Sequence, residues 1–213
     1  MNFDWLAGEV DDIGNFFAWH VALSVIPVLV ALVLAVPIGW LVKQSGFLRP
    51  ALLGTVGLLY TIPSLALFVL LPLVLGTQIL DPLNVVVALT VYTLALLVRT
   101  VCDGLEAVSS DVLQAANAMG YRRIARFFRV ELPLAVPVIG AGLRVAVVSN
   151  VSIVSIAALI GTPQLGSLFT EGLELHFLTP IFTGIILCVA LAVLLDSLVL
   201  IITRQLTGWQ PRT

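Results

Sequence analysis

Apolar residues gather in five long runs, at about 18–42, 51–75, 84–102, 134–161 and 180–203, with shorter polar segments between them. A helix needs about 20 apolar residues to cross a hydrocarbon core roughly 30 Å thick, and each run approaches or exceeds that length. Lipid offers no water to backbone N–H and C=O groups, so runs of this kind satisfy them internally, as helices. The pattern predicts an all-α integral membrane protein with about five transmembrane helices in one domain over 1–213. No segment between the runs is long enough to bury a core of its own. Two segments are still long enough to fold. One is 103–133. The other is 162–179, where Leu165, Leu168 and Phe169 fall at helical spacing. That spacing fits a short helix at the outer interface or an ordinary connecting loop.

At 3.6 residues per turn, 103–133 resolves into two short amphipathic helices. Val112, Ala115, Ala116 and Met119 follow an i, i+3, i+4, i+7 spacing and share a face. Ser109 and Ser110 are suitable caps, and Asp111 is well placed against the helix dipole. Gly120 supplies the backbone freedom for a sharp turn. In the second helix Tyr121, Ile124, Phe127 and Phe128 line one side, while Arg122, Arg126 and Arg129 line the other with Arg123 beside them. Pro133 closes this helix and opens the next span, since proline is tolerated in a first helical turn. The expected unit is a hairpin with one apolar and one basic face.

Composition and charge then fix class and orientation. The chain is 60% hydrophobic and 10% charged, with a mean hydropathy of +1.15, which lies outside the soluble range. Threading five spans puts Lys43, Arg49, Arg99, Arg122 to Arg129, Arg204 and Arg212 on one side, with Arg144 in the nearer half of its span. Asp4, Glu9, Asp11, Asp12, Asp81, Glu171 and Glu174 fall on the other, without lysine or arginine. Positive residues stay cytoplasmic, so the N-terminus is expected outside and the C-terminus inside. The acidic N-terminus and the length of the first run argue against a cleaved leader. Cys102 and Cys188 lie at or within spans and are expected to act as small hydrophobes.

The four arginines need an explanation of their own. Contact with anionic lipid, at about 1 kcal/mol per residue, accounts for the charge but not for the ordered alanines, glycine and proline. Nucleic acid would need a larger basic surface and a recognition element. A docking hairpin accounts for charge and spacing together. Here Gln114-Ala115-Ala116, three residues, Gly120, nine residues, and Val130-Glu131-Leu132-Pro133 resemble the cytoplasmic loop of bacterial ABC-importer permeases, E-A-A-x(3)-G-x(9)-I-x-L-P. Gln114 stands where that family prefers glutamate, and Val130 replaces isoleucine. The resemblance implies a MetI-like permease fold and a coupling helix seated in a cleft of an ABC ATPase. Its motif positions put Gln114, Ala115, Ala116, Gly120, Leu132 and Pro133 at that contact, and the helical reading of the loop adds Met119, Arg122 and Arg126. It also implies a second permease copy, identical or a sister chain, an extracytoplasmic binding protein, and ATP and Mg in the partner ATPase rather than in this chain.

Segments 60–72, 142–161 and 194–212 are similar to the osmoprotectant branch, which moves glycine betaine, carnitine, choline and related quaternary amines; the methionine permeases are the neighbouring alternative. Pro63 lies mid-span between Thr61 and Ser64, and a mid-span proline frees a carbonyl that hydroxyls can satisfy. It fits a gate or a packing kink. Ser149, Asn150, Ser152 and Ser155 can line a polar path or bond neighbouring helices. Tyr60 and Tyr92 can offer cation–π contacts to a quaternary amine or serve as ordinary membrane tyrosines. Arg144 and Asp196 are expected at similar depth, paired as a clamp or as a switch, because an isolated charge there is expensive.

The enzyme motifs HExxH, GxSxG and CxxC are absent, and the Gly161–Ser167 stretch lacks the lysine of a phosphate loop. His20 and His176 read as isolated external residues rather than metal ligands. The chain is therefore expected to be a transport subunit, with ATP hydrolysis elsewhere. The contrasting class is a channel or scaffold without ATP coupling.

Overall fold

The protein is seen as a computed structural model that describes residues 2–209. Arg212, and with it the end of segment 194–212, lies outside the described residues. The helices are α1 Phe3–Gly8, α2 Val10–Gln44, α3 Arg49–Leu59, α4 Ser64–Leu75, α5 Pro82–Glu106, α6 Ser110–Ala118, α7 Arg123–Arg126, α8 Leu132–Val154, α9 Ser167–Glu174 and α10 Leu178–Leu206, with no strand among the described residues. Four helical stretches are long and apolar enough to cross a membrane: Val10–Gln44, Pro82–Glu106, Arg123–Ile160 and Leu178–Leu206. A fifth crossing is available to Gly46–Leu59 with Ser64–Leu75, two helices bent by 95°. The chain is an all-α, multi-pass membrane protein.

Helix α5 is the centre of the bundle, packed against α2, α8, α3 and α4. Its crossing with α2 is close because small residues face it. Ala31 and Ala35 are fully buried, and a Cβ on Gly39 would stand 2.7 Å from Val101 Cγ1. Lipid gives helices no hydrophobic reason to associate, so close backbone approach and dispersion do that work. By contrast α10 leaves Ile186, Val189, Val193 and Leu194 exposed along one side, as an apolar surface of a membrane helix does.

Three features depart from the sequence expectation. The run 51–75 is not a kinked helix: it stops at Leu59 and restarts at Ser64. Pro63 holds φ −58° and ψ 128°, extended rather than helical. Pro133 does not end a separate helix either. The chain continues from α7 through a π-helical turn, Phe127–Glu131, straight into α8. Proline has no N–H to return to the preceding turn, and the wider turn, in which Leu132 N–H donates to the Phe127 carbonyl, absorbs the shift in register. Finally, His20 is not interfacial but fully buried. Its Nε2 donates to the Val151 carbonyl at 3.0 Å and its Nδ1 lies 3.0 Å from Gln164 Oε1. His176 is exposed, as expected, and takes a left-handed φ of 50°.

Those His20 contacts pin the second polar segment onto the bundle. Gln164 Nε2 also donates to the Ser155 carbonyl, and Leu165 and Leu168 are buried. The segment therefore holds the short helix α9, packed on α10, rather than a plain loop. At this end Glu171 lies near Glu9 and Asp12; burial, and then repulsion from those two carboxylates, raises its pKa above the ordinary glutamate value.

Candidate coupling hairpin and transport path

Helix α6 forms as its sequence requires. Ser109 Oγ accepts from Val112 N–H at 3.4 Å and Asp111 occupies the first turn. Gly120 has φ +80°, and the turn closes with Gly120 N–H donating to Asn117 O and Tyr121 N–H to Ala116 O. This is a left-handed helix stop that glycine adopts without strain. Ala116 is the anchor, 1% exposed, while Val112, Gln114, Ala115 and Met119 are exposed. The apolar face is thus split: one alanine seats the helix and the rest points away from the chain.

The returning arm of the hairpin divides its arginines. Arg122 and Arg129 are exposed and, with Met119 and Gly120, border an open groove. Arg123 stacks over the Trp40 ring at 5.8 Å and donates to Gln44 Oε1. Arg126 turns inward, its Nε donating to Glu131 Oε1 at 2.8 Å and its Nη1 to Asn117 Oδ1 at 2.7 Å. The basic stripe expected from spacing is therefore only half available to a partner. Phe127 likewise leaves the expected apolar face; it is buried against Trp40 with ring centroids 5.0 Å apart, while Ile124 and Phe128 are exposed. Leu132 and Pro133 are half-buried in the first turn of α8.

Glu131 was not singled out by sequence reasoning. It is 2% exposed and accepts from Lys43 Nζ at 2.8 Å as well as from Arg126. A carboxylate in the otherwise apolar Val130–Pro133 segment, five residues after an arginine, was the available signal.

In the membrane region, the α3–α4 break is stitched by hydroxyls. Thr61 Oγ1 donates to the Leu58 carbonyl at 2.7 Å, and Tyr92 Oη, from α5, donates to the Ile62 carbonyl. Tyr60 stands edge-on to Tyr92, centroids 5.7 Å apart. Tyr92 is 3% exposed and Tyr60 44%, so only Tyr60 presents a free face; Thr61 and Pro63 are exposed and Ser64 half-buried. The four polar residues of α8 and its end diverge. Asn150 is buried, accepting from Thr93 Oγ1 at 3.0 Å and donating to the Ser24 carbonyl at 3.4 Å, and so joins α2, α5 and α8. Ser152 is exposed, Ser149 half-buried, and Ser155 Oγ lies 3.8 Å from Cys188 Sγ of α10. Arg144 and Asp196 meet in a two-fold fork, Nε to Oδ1 and Nη2 to Oδ2, both 2.7 Å. That planar geometry is the strong form of the pair, and it links α8 to α10.

Residues 16–208 match the family described as "Binding-protein-dependent transport system inner membrane component". The chain is 36% identical over 183 residues to the osmoprotectant import permease protein OsmW of Salmonella typhimurium, covering 84% of this chain and 83% of that one. It is 37% identical over 174 residues to the ergothioneine transport permease/ergothioneine binding protein EgtU of Helicobacter pylori, covering 82% of this chain but 31% of that longer protein. It is 28% identical to the glycine betaine/carnitine/choline transport system permease protein OpuCB of Bacillus subtilis, over 88% of this chain and 85% of that one. Among solved structures, the MetNI methionine ABC transporter in an inward-facing conformation superposes with a TM-score of 0.85 at 20% identity, covering 94% of this chain and 98% of that chain. That likeness shows the fold.

Proposed function

The chain belongs to the family of binding-protein-dependent transport system inner membrane components, and from that premise we propose that it is the permease of an ATP-driven importer of osmoprotectants and related quaternary amines. The observation that carries the reading is the hairpin. Helix α6 is seated through Ala116 and turns Val112, Gln114, Ala115 and Met119 outward, leaving one face of the helix uncovered among the described residues. Such a helix suits a hydrophobic cleft, here that of an ABC ATPase. Arg122 and Arg129 flank it and can meet acidic residues at the cleft rim. ATP binding then draws two such helices together across a permease dimer and opens the path outward, and hydrolysis returns it inward. An external binding protein delivers the solute.

Substrate class follows from two lines of support. The relatives named above carry osmoprotectants, ergothioneine, glycine betaine, carnitine and choline. Glycine betaine, carnitine, choline and ergothioneine share a trimethylammonium group, and Tyr60 offers a free aromatic face to such a cation at the α3–α4 break. Tyr92, whose hydroxyl is bound to the Ile62 carbonyl, serves the break itself. Pro63, Thr61 and Ser64 shape that break, and Ser149 and Ser152 are the α8 hydroxyls open to a path. Asn150 acts in packing. Lys43, Arg49 and the hairpin arginines share one end through their contacts with Glu131, Glu106 and Trp40, which supports a cytoplasmic hairpin and an external N-terminus.

The test is uptake of radiolabelled glycine betaine into vesicles holding this chain, its ATPase and its binding protein. Uptake that requires internal ATP and is competed by choline or carnitine is the expected result. Equal uptake without ATP would instead establish a channel, and competition by methionine but not by betaines would move the chain to amino-acid import.

A further inference from the structure

We propose that Glu131 is the positioning residue that braces the coupling hairpin against the transmembrane helices, so that a push on α6 reaches α2, α5 and α8 as one body. This rests on the hairpin being the ATPase contact. From the single Glu131 carboxylate, bonded paths lead to α2, α5, α7 and α6, and its main chain enters α8. Oε2 accepts from Lys43 Nζ in the last turn of α2, and the same ammonium donates to the Leu105 carbonyl near the end of α5 at 2.9 Å. Oε1 accepts from Arg126 Nε, and that guanidinium donates to Asn117 Oδ1 of α6. Glu131 itself leads directly into α8.

The geometry says what this arrangement is for. The turn Phe127–Glu131 is π-helical, a wide turn of the kind found at functional sites and a natural place for α7 to swing on α8. The Arg126–Glu131 pair is five residues apart and spans that turn from end to end. It matches the widened register and closes the hinge. Packing adds a second hold, since Phe127 is buried against Trp40 and Arg123 stacks on the same ring. Stability alone does not explain the carboxylate, because the desolvation of a buried ion pair offsets most of its attraction. Apolar burial is non-directional, whereas charge-assisted bonds at 2.8 Å fix orientation as well as proximity. A lever needs that directionality, while a lipid-packed bundle does not.

The test uses the full chain in lipid nanodiscs, with Cys102 and Cys188 replaced by alanine and spin labels at Leu41 on α2 and Ala118 on α6. The unsubstituted brace should give one narrow distance distribution, and E131Q and K43M should each broaden it while keeping helical content. In the assembled transporter, without labels, both variants should still bind the ATPase but move about ten-fold less glycine betaine per ATP hydrolysed. An unchanged distance distribution would overturn the proposal. So would uptake and hydrolysis falling in step, because that is only loss of folded complex. E131Q leaves two cations facing each other; if it cannot be purified, K43M, which leaves a neutral Arg126–Glu131 pair, decides both arms. Loss of uptake in the chain with its brace intact would count against the transport assignment and leave the distance result standing.

Discussion

His20, Asn150 and Glu131 are 0%, 2% and 2% exposed, and each is held by at least one group distant in sequence. A buried polar side chain without partners costs roughly 1–3 kcal/mol, so their partners are as much a part of the fold as the apolar core. The Arg144–Asp196 fork obeys the same rule inside the apolar belt. Replacing Asp196 with Asn removes the charge but not the shape, and leaves Arg144 unpaired at membrane depth. The expected outcome is a lower yield of folded protein and a Tm lower by several degrees, with the order of preference among glycine betaine, carnitine and choline unchanged. Fluorescence-detected melting and competition uptake together check it. A changed preference with normal yield would make the pair part of the solute path instead.

At the scale of elements, long apolar runs are readable because their length alone demands a helix in lipid, and residues 84–102 and 180–203 fall within α5 and α10. The first hairpin helix was readable for a different reason: Ser109, the alanines and Gly120 are local signals that need no tertiary partner. The break at Tyr60–Pro63 was readable only as a kink, because the 95° bend leaves the Ile62 carbonyl to Tyr92 of α5, a partner thirty residues away. The direction of each arginine in 122–129 was not readable at all. Spacing puts Arg126 on a basic stripe, but the π-helical turn rotates Glu131 beneath it and turns it inward. His20 was misjudged because its partners, Val151 and Gln164, are more than a hundred residues away. Gly120 offers the sharpest check on the local part. At φ +80°, Gly120→Val forces a β-branched residue into the left-handed region, at a cost of roughly 1–2 kcal/mol. Its expected effect is a hairpin that protease cleaves faster between α6 and α7, with ATP-driven uptake lost and the transmembrane core melting as before. Unaltered cleavage and uptake would show that the turn tolerates another geometry.

The whole molecule divides its charge between its two ends. One end gathers Lys43, Arg49, the hairpin arginines and Glu131 into a braced unit. The other gathers Glu9, Asp12 and Glu171 around a cap pinned by Gln164. Between them a bundle centred on α5 joins the two ends, interrupted by the 95° bend between α3 and α4. Everything proposed for transport depends on the braced end being where an ATPase pushes. The most direct measurement is a cysteine placed at Ala118 in the chain lacking Cys102 and Cys188, expressed with its ABC ATPase and crosslinked in native membranes. The account predicts a crosslink to that ATPase whose yield changes when ATP is bound. A fully expressed, membrane-inserted chain that captures no ATPase from this position, with or without nucleotide, would contradict it.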